Sequence, residues 1–66
     1  MSYKLTRYAS YLEKNNIVAV YSNFNLFFLK NETVGWFKKI INNEKIDEIP
    51  KDFINFLRDK EVIKLD

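Results

Sequence analysis

The sequence predicts an α+β domain in which a three-stranded antiparallel sheet packs against two to three helices. The middle of the chain carries two short runs of β-branched and aromatic residues separated by a turn-forming tetrapeptide, which is typical of a β-hairpin. The second half carries two segments whose apolar residues recur every three to four positions, which is typical of amphipathic helices. At 66 residues and 47% hydrophobic, residues 1–66 are expected to form a single domain.

The N-terminal segment, residues 3–12, fits two structures. A strand over Tyr8–Leu12 satisfies its pattern, and so does a helix with one apolar face. Asn15-Asn16 then predicts a turn, because Asn tolerates a positive φ and hydrogen-bonds to its own backbone. The helical alternative would place these side chains on one face: Leu5, Tyr8, Tyr11 and Leu12.

The central hairpin contains the most unusual stretch of the chain. Ile17–Tyr21 predicts one strand, Ser22–Asn25 the turn, and Leu26–Leu29 the returning strand. The stretch Asn25–Lys30 does not alternate between apolar and polar residues, so both faces of its strand would be apolar. The helices of a chain this small can cover one face. The other face, or the open edge beside it, then needs another partner.

The first helix is predicted to follow this hairpin directly. Asn31 has the character of an N-cap, and Glu32 would interact favourably with the helix dipole. Gly35 lies inside the helix, where a close approach by another backbone would explain it. Asn42-Asn43 ends the helix. The apolar stripe consists of Val34, Phe37, Ile40 and Ile41, with Trp36 at its border.

The second helix is predicted over Pro50–Lys60, with Pro50 at its first position. Before it, Ile46 and Ile49 are expected to enter the core from an irregular turn or one short helical turn. After it, Val62–Leu65 forms a short strand or an extended tail. The predicted stripe is Phe53, Phe56, Leu57 and Lys60, with Ile54 at its edge. This order of elements indicates a small winged-helix-like domain.

The composition argues against an enzyme. The chain has no Cys and no His, which excludes disulfides, thiolate metal sites and a histidine base, and the missing Cys fits a cytoplasmic protein. Gly35 is the only glycine, so no Gly-rich phosphate loop exists. The acidic residues match no calcium-loop spacing and are expected to be solvated charges; they are Asp47, Glu48, Asp52, Asp59 and Glu61. We therefore expect no catalytic, cofactor-binding or metal-binding residues.

Membranes and nucleic acids are weaker alternatives as partners. No apolar run approaches the ~20 residues of a membrane span. A DNA-binding winged helix would insert the helix Pro50–Lys60 into the major groove, but its acidic and basic residues nearly cancel. The pair Lys38-Lys39 is explained by a solvated helix face. A net charge of +2 does not by itself indicate a nucleic-acid partner.

Capture of a peptide by strand addition suits the run Leu26–Leu29 best. An edge strand offers unpaired N–H and C=O groups that an extended peptide can complete. The run carries no charge and no proline, the residues that commonly protect an edge. Two alternatives stay open: Phe27 or Phe28 packs on the N-terminal segment, or a homodimer closes the same edge.

Two segments of the chain resemble the PqqD-like domains, the recognition elements for precursors of ribosomally synthesised and post-translationally modified peptides (RiPPs). The run Val18–Thr33 is similar to that family's hairpin followed by a capped helix, and Asp52–Ile63 is similar to its last helix and short apolar tail. The resemblance covers about residues 8–65 and rests on apolar patterns. One departure is the segment Asn42–Pro50, which is shorter than the family's usual second helix.

The resemblance implies a function without catalysis. The family has a winged-helix-like fold with three strands and three helices, and it binds the leader peptide of a precursor as an extra strand along the third strand and the third helix. The implied partner enzyme, in trans or fused, is a RiPP-modifying enzyme such as a radical S-adenosylmethionine maturase. Carried over by position, the peptide-binding residues are Leu26, Phe27, Phe28, Leu29, Lys30, Phe53, Ile54, Leu57 and Arg58; Lys30, Arg58 and Lys60 would suit an acidic leader.

Overall fold

The computed structural model describes residues 2–66. These residues contain a three-stranded antiparallel sheet, a two-stranded ribbon and two helices. The sheet has the order β2-β3-β4, and the ribbon pairs β1 with β5. The predicted α+β class, with its three-stranded antiparallel sheet and two helices, is confirmed. The elements in chain order are β1 (Tyr3–Leu5), β2 (Ala9–Lys14), β3 (Ile17–Ser22), β4 (Asn25–Leu29), α1 (Glu32–Ile41), α2 (Lys51–Asp59) and β5 (Ile63–Leu65).

The N-terminal segment is extended, so the helical alternative for residues 3–12 is wrong. Its first part pairs with the C-terminal tail in the register Tyr3↔Leu65, and its second part pairs with β3 in the register Tyr11↔Val20. The strand alternative holds from Ala9 onward, and a corner at residues 6–8 separates the two strands. The periodicity of this segment allows both a helix and a strand. Its pairing with strands later in the chain selects the strand conformation.

Two tight turns set the register of the three-stranded sheet. Asn15 and Asn16 have φ values of 54° and 61°, and Asn23 and Phe24 have φ values of 49° and 69°. A two-residue loop with positive φ at both positions is a type I′ turn, whose twist matches that of the flanking strands. The predicted turns are therefore confirmed. Phe24, whose side chain is 91% exposed, adopts this conformation without the side-chain polarity that helps Asn to do so.

The core lies between one face of the sheet and the two helices. Val18 and Val20 of β3 are at most 1% exposed, and on α1 the predicted stripe is confirmed, with Phe37 fully buried. The Phe37 ring meets the edge of the Tyr11 ring from β2 at a centroid distance of 5.1 Å. Leu29 completes the inner face from β4. The sheet is therefore covered by its own helices on one face only.

The N-terminus of α1 lacks the side-chain capping hydrogen bond that was predicted for Asn31. Asn31 occupies the N-cap position, but its φ of 57° is not the extended conformation of a capping residue, and its side chain makes no capping hydrogen bond. The hydroxyl of Thr33 instead accepts from the backbone N–H of Lys30 at 3.1 Å and donates to the Lys30 carbonyl oxygen at 2.5 Å. Glu32 lies in the first turn, as predicted.

Gly35 does not mark a close approach between backbones, so that prediction is wrong. The residue is exposed, and a Cβ atom built on it would meet no atom within 4 Å. We expect Gly35→Ala to raise the free energy of unfolding by about 0.5–1 kcal/mol, because Ala loses less backbone entropy in a helix. Urea unfolding followed by circular dichroism measures this. A lower urea midpoint for the variant would contradict an open site at this position.

The chain between α1 and α2 is not helical, whereas the PqqD-like resemblance implies a second helix there. Residues 42–50 form turns, with Asn43 at a φ of 61°, so the predicted end of α1 is confirmed. Ile49 is 4% exposed and Ile46 packs against the core, as expected. Pro50 stands at the N-cap with a ψ of 137°, one residue before the helix rather than at its first position. Its extended ψ keeps it outside the helix.

The buried face of α2 is rotated from the predicted stripe. Ile54 and Leu57, at 8% and 0% exposure, are its buried residues, whereas Phe56 is 39% exposed and Phe53 is only partly buried. Ile54 was predicted at the edge of the stripe and lies at its centre. Val62 continues this buried surface after the helix at 0% exposure.

A buried polar cluster joins the end of α2 to both sheets. Glu61 has a φ of 59°, and its carbonyl oxygen accepts a hydrogen bond from the hydroxyl of Ser22 at 3.0 Å and another from the hydroxyl of Thr6. Ser22 and Thr6 are the buried polar residues of the described chain. Within residues 2–66, neither helix is long and apolar enough to cross a membrane.

Candidate functional site

Strand β4 is an edge of the three-stranded sheet. It pairs with β3 from Ser22↔Asn25 to Val18↔Leu29, and no second strand pairs with it among residues 2–66. The N-terminal segment lies elsewhere, since β1 pairs with β5 and β2 pairs with the far side of β3. The hypothesis that the chain's own N-terminal segment closes this edge is therefore wrong.

The tight turn decides which backbone groups of β4 point outward. In a two-residue hairpin the residues that flank the loop, Ser22 and Asn25, form a hydrogen-bonded pair, and bonded and non-bonded pairs alternate from there. Phe27 consequently exchanges its hydrogen bonds with Val20 on β3. Leu26 and Phe28 direct their N–H and C=O groups away from β3. The same rule applied to the β2–β3 turn predicts that Ile17, Ala19 and Tyr21 of β3 exchange their hydrogen bonds with β2. These are the β3 residues that do not bond to β4, so the two registers agree.

The side chains of β4 divide between a covered face and an open face. Leu29 is 6% exposed and Phe27 is partly buried against the core, whereas Leu26 and Phe28 are 62% and 59% exposed. The stretch predicted to be apolar on both faces is apolar on both faces in the structure. The two residues whose backbone groups point outward are also those whose side chains lie on the open face.

Aromatic side chains of α2 pack beside β4 on the core side of the sheet. The rings of Phe27 and Phe56 meet edge to face at a centroid distance of 5.2 Å, and the ammonium group of Lys60 lies 5.9 Å from the Phe56 ring centroid. One turn earlier on α2, Phe53 meets Trp36 of α1 at 5.4 Å. The partly exposed Phe56 ring therefore forms an apolar surface next to the strand edge.

The residues predicted to bind the peptide do not all meet at this surface. Leu26–Leu29 form the strand, and Lys30 follows it on the surface. Ile54 and Leu57 lie in the core, where their contacts are internal. Arg58 lies over the Tyr3 ring, at 5.9 Å from its centroid, beside the ribbon. Phe56 is the contact that the site prediction omitted, although its spacing of three residues from Phe53 could have indicated it.

The other edge of the sheet, strand β2, is less open. The N–H of Ala9 donates to the Thr6 carbonyl oxygen at 3.2 Å, and the Glu13 carboxylate forms an ion pair with Lys38 at 2.5 Å. Glu13 and Lys14 place charges on this strand, whereas β4 has none. Charged side chains protect edge strands from pairing. Of the two edges of the three-stranded sheet, β4 is therefore the one that carries no charged side chain.

The fold and this edge define a small α+β domain with an uncovered strand beside an aromatic helix face. No family model matches the chain, and neither the curated proteins nor the solved structures contain a match.

Proposed function

We propose that this domain binds an extended peptide as a fourth strand along β4 and that the peptide is the leader of a RiPP precursor. The observation that carries the proposal is the outward-facing pair Leu26 and Phe28, whose backbone groups have no strand partner within residues 2–66. Main-chain hydrogen bonds to these two residues would supply affinity, and Phe56 would contact the side chains on the inner face of the peptide.

The order of elements supports the leader-peptide interpretation. A three-stranded meander precedes the helices, and the last helix contacts the third strand of that meander, which is the arrangement that the PqqD-like resemblance implies. The proposed function is non-catalytic. Binding the leader would raise the effective concentration of the core peptide at a separate modifying enzyme, such as a radical S-adenosylmethionine maturase in the cytoplasm.

Two other functions are less well supported by the surface. A DNA reader would use α2, but Asp52 and Asp59 offset the charge of Lys51 and Arg58 on that helix. A homodimer that pairs two β4 edges uses the same exposed groups and stays an alternative. Sedimentation of the protein without peptide at several concentrations tests the homodimer, because the fraction of dimer rises with protein concentration.

Hydrogen exchange with and without a leader peptide tests the proposed function. The probe is the synthetic leader encoded by a short open reading frame beside this gene. We expect the amides of Leu26 and Phe28 to become protected on binding, because they gain acceptors, while those of Phe27 and Leu29 are already bonded to β3. The amides of Tyr11 and Glu13 on the opposite edge serve as the internal control.

This alternating pattern separates the outcomes of the experiment. Protection at Leu26 and Phe28 that rises with peptide concentration supports strand addition. Protection that rises with protein concentration in the absence of peptide supports the homodimer. Unchanged exchange at both residues with saturating leader contradicts the proposed function.

A further inference from the structure

A second surface feature is a cleft of about 470 Å³ between the β1–β2 corner, the end of α2 and strand β5. Three basic residues line it, Arg7, Arg58 and Lys64, together with one acidic residue, Glu61. Within residues 2–66 none of the three cations forms an ion pair, whereas Lys4, Lys38 and Lys39 each do. Five lysines outside the cleft also form no ion pair among the described residues, so what distinguishes the cleft is that it brings three cations together beside a single carboxylate.

The charged side chains that line the cleft sum to +2, which equals the net charge of the protein. The chain has 11 basic and 9 acidic residues, and outside the cleft basic and acidic side chains are equal in number, eight of each. The lining of the cleft itself carries two more positive than negative side chains. A local excess in a concave surface attracts anionic groups more strongly than the same charge spread over the molecule.

The lining of the cleft also has an apolar component. The guanidinium group of Arg7 lies 5.9 Å from the Tyr8 ring centroid, and that of Arg58 lies 5.9 Å from the Tyr3 ring centroid. A cation–π contact attracts a guanidinium group to the ring face without using its N–H donors in hydrogen bonds. Tyr8 and Leu65, at 59% and 45% exposure, place large apolar surfaces next to these donors.

We infer that this cleft binds a peptide segment in which a carboxylate side chain stands next to a large apolar one. The arginine donors would bind the carboxylate, and Tyr8 and Leu65 would contact its apolar neighbour. Three cations beside Glu61 suit one or two carboxylates and are too few for the phosphates of a nucleic-acid duplex.

The cleft adjoins the end of the sheet where β4 begins. The Glu61 carboxylate accepts from the side-chain amide of Asn23, in the β3–β4 turn, at 3.4 Å. The cleft therefore contacts the β3–β4 turn through Glu61. The inference does not depend on strand addition, because the cleft residues and the β4 residues are different and can be tested separately.

Titration of the isotopically labelled protein with two short peptides tests the inference. The probe is an acetylated, amidated tetrapeptide of alternating leucine and glutamate, and the matched peptide has glutamine in place of glutamate. We expect the glutamate peptide to shift the amides of Arg7, Tyr8 and Lys64, and the glutamine peptide to leave them unchanged. Tetrapeptide binding should weaken as salt is raised.

A pair of charge-matched variants provides the control. Arg7→Gln with Lys64→Gln should weaken binding of the glutamate peptide about tenfold or more, because two charge-assisted contacts are lost. Lys14→Gln with Lys45→Gln removes the same charge from exposed positions outside the cleft and should change binding less than about twofold.

Four results would overturn the inference. They are equal weakening by both double variants, equal binding of the two peptides, amide shifts confined to residues outside the cleft, and shifts by inorganic phosphate equal to those by the glutamate peptide. A failure at the cleft leaves the hydrogen-exchange test at Leu26 and Phe28 unaffected. The two proposals therefore stand or fall independently.

Discussion

Phe28→Pro is expected to abolish leader binding at β4 while leaving the fold intact. The N–H of Phe28 points away from β3, so proline removes the donor that a fourth strand needs without removing a hydrogen bond of the existing sheet. The proline ring also obstructs the open edge. We expect affinity for the leader peptide to fall at least about thirtyfold, since a lost main-chain bond leaves its partner group unsatisfied. Isothermal titration calorimetry measures the loss.

Two neighbouring substitutions make this prediction specific. Phe28→Ala keeps the N–H and measures the contribution of the ring alone, so it should bind more tightly than Phe28→Pro. Phe27→Pro removes an N–H that donates to β3 and should unfold the domain, because a proline within a paired strand breaks the hydrogen-bond ladder. Circular dichroism reports folding in each case. Leu26→Pro repeats the test at the second outward residue if Phe28→Pro proves unstable.

Normal binding by a folded Phe28→Pro variant would contradict strand addition at β4. Equal loss in Phe28→Ala and Phe28→Pro would instead assign the binding to the side chain, and this too contradicts a backbone mechanism.

Joint removal of the Thr6 and Ser22 hydroxyls is expected to destabilise the protein by more than the sum of the two single changes. Both hydroxyls donate to the carbonyl oxygen of Glu61, so each single change leaves one donor in place. Thr6→Val or Ser22→Ala should cost about 1 kcal/mol. The double change removes both hydroxyl donors from a partly buried carbonyl, and its total cost should reach about 3 kcal/mol.

A double-mutant cycle by urea unfolding measures this coupling. A domain of this size has only about 3–5 kcal/mol of net stability, so the cycle is best run in the Gly35→Ala background. Ser10→Ala removes an exposed hydroxyl from β2 and should change stability by less than about 0.5 kcal/mol. Additive costs for Thr6→Val and Ser22→Ala would show that the two hydroxyls do not share one acceptor.

The elements whose signals are local were predictable from the chain. Asn15-Asn16 and Asn23 tolerate the positive φ of type I′ turns, so both turns and the second hairpin could be placed from residue chemistry. The helical spacing of Val34, Phe37 and Ile40 located α1 and its buried face. Each of these features depends on residues within one or two turns of one another.

The features that failed depend on contacts between distant residues. Residues 3–5 are a strand because they pair with residues 63–65 across the whole length of the chain. The sequence of α2 allows either Ile54 or Phe56 at the centre of its buried face. Packing against the rest of the core places Ile54 there. The neighbours of Gly35 along the chain do not indicate that the space around its Cα atom is open.

The candidate site shows the same division. The residue types alone predict that a strand over Leu26–Leu29 is apolar on both faces and carries no charge. The packing of distant segments makes β4 an edge, directs the backbone groups of Leu26 and Phe28 outward and brings Phe56 against Phe27. It also gathered Arg7, Arg58 and Lys64 into one cleft. Edges and clefts form where segments that are far apart in the chain pack together. Local residue patterns do not specify which distant segments meet.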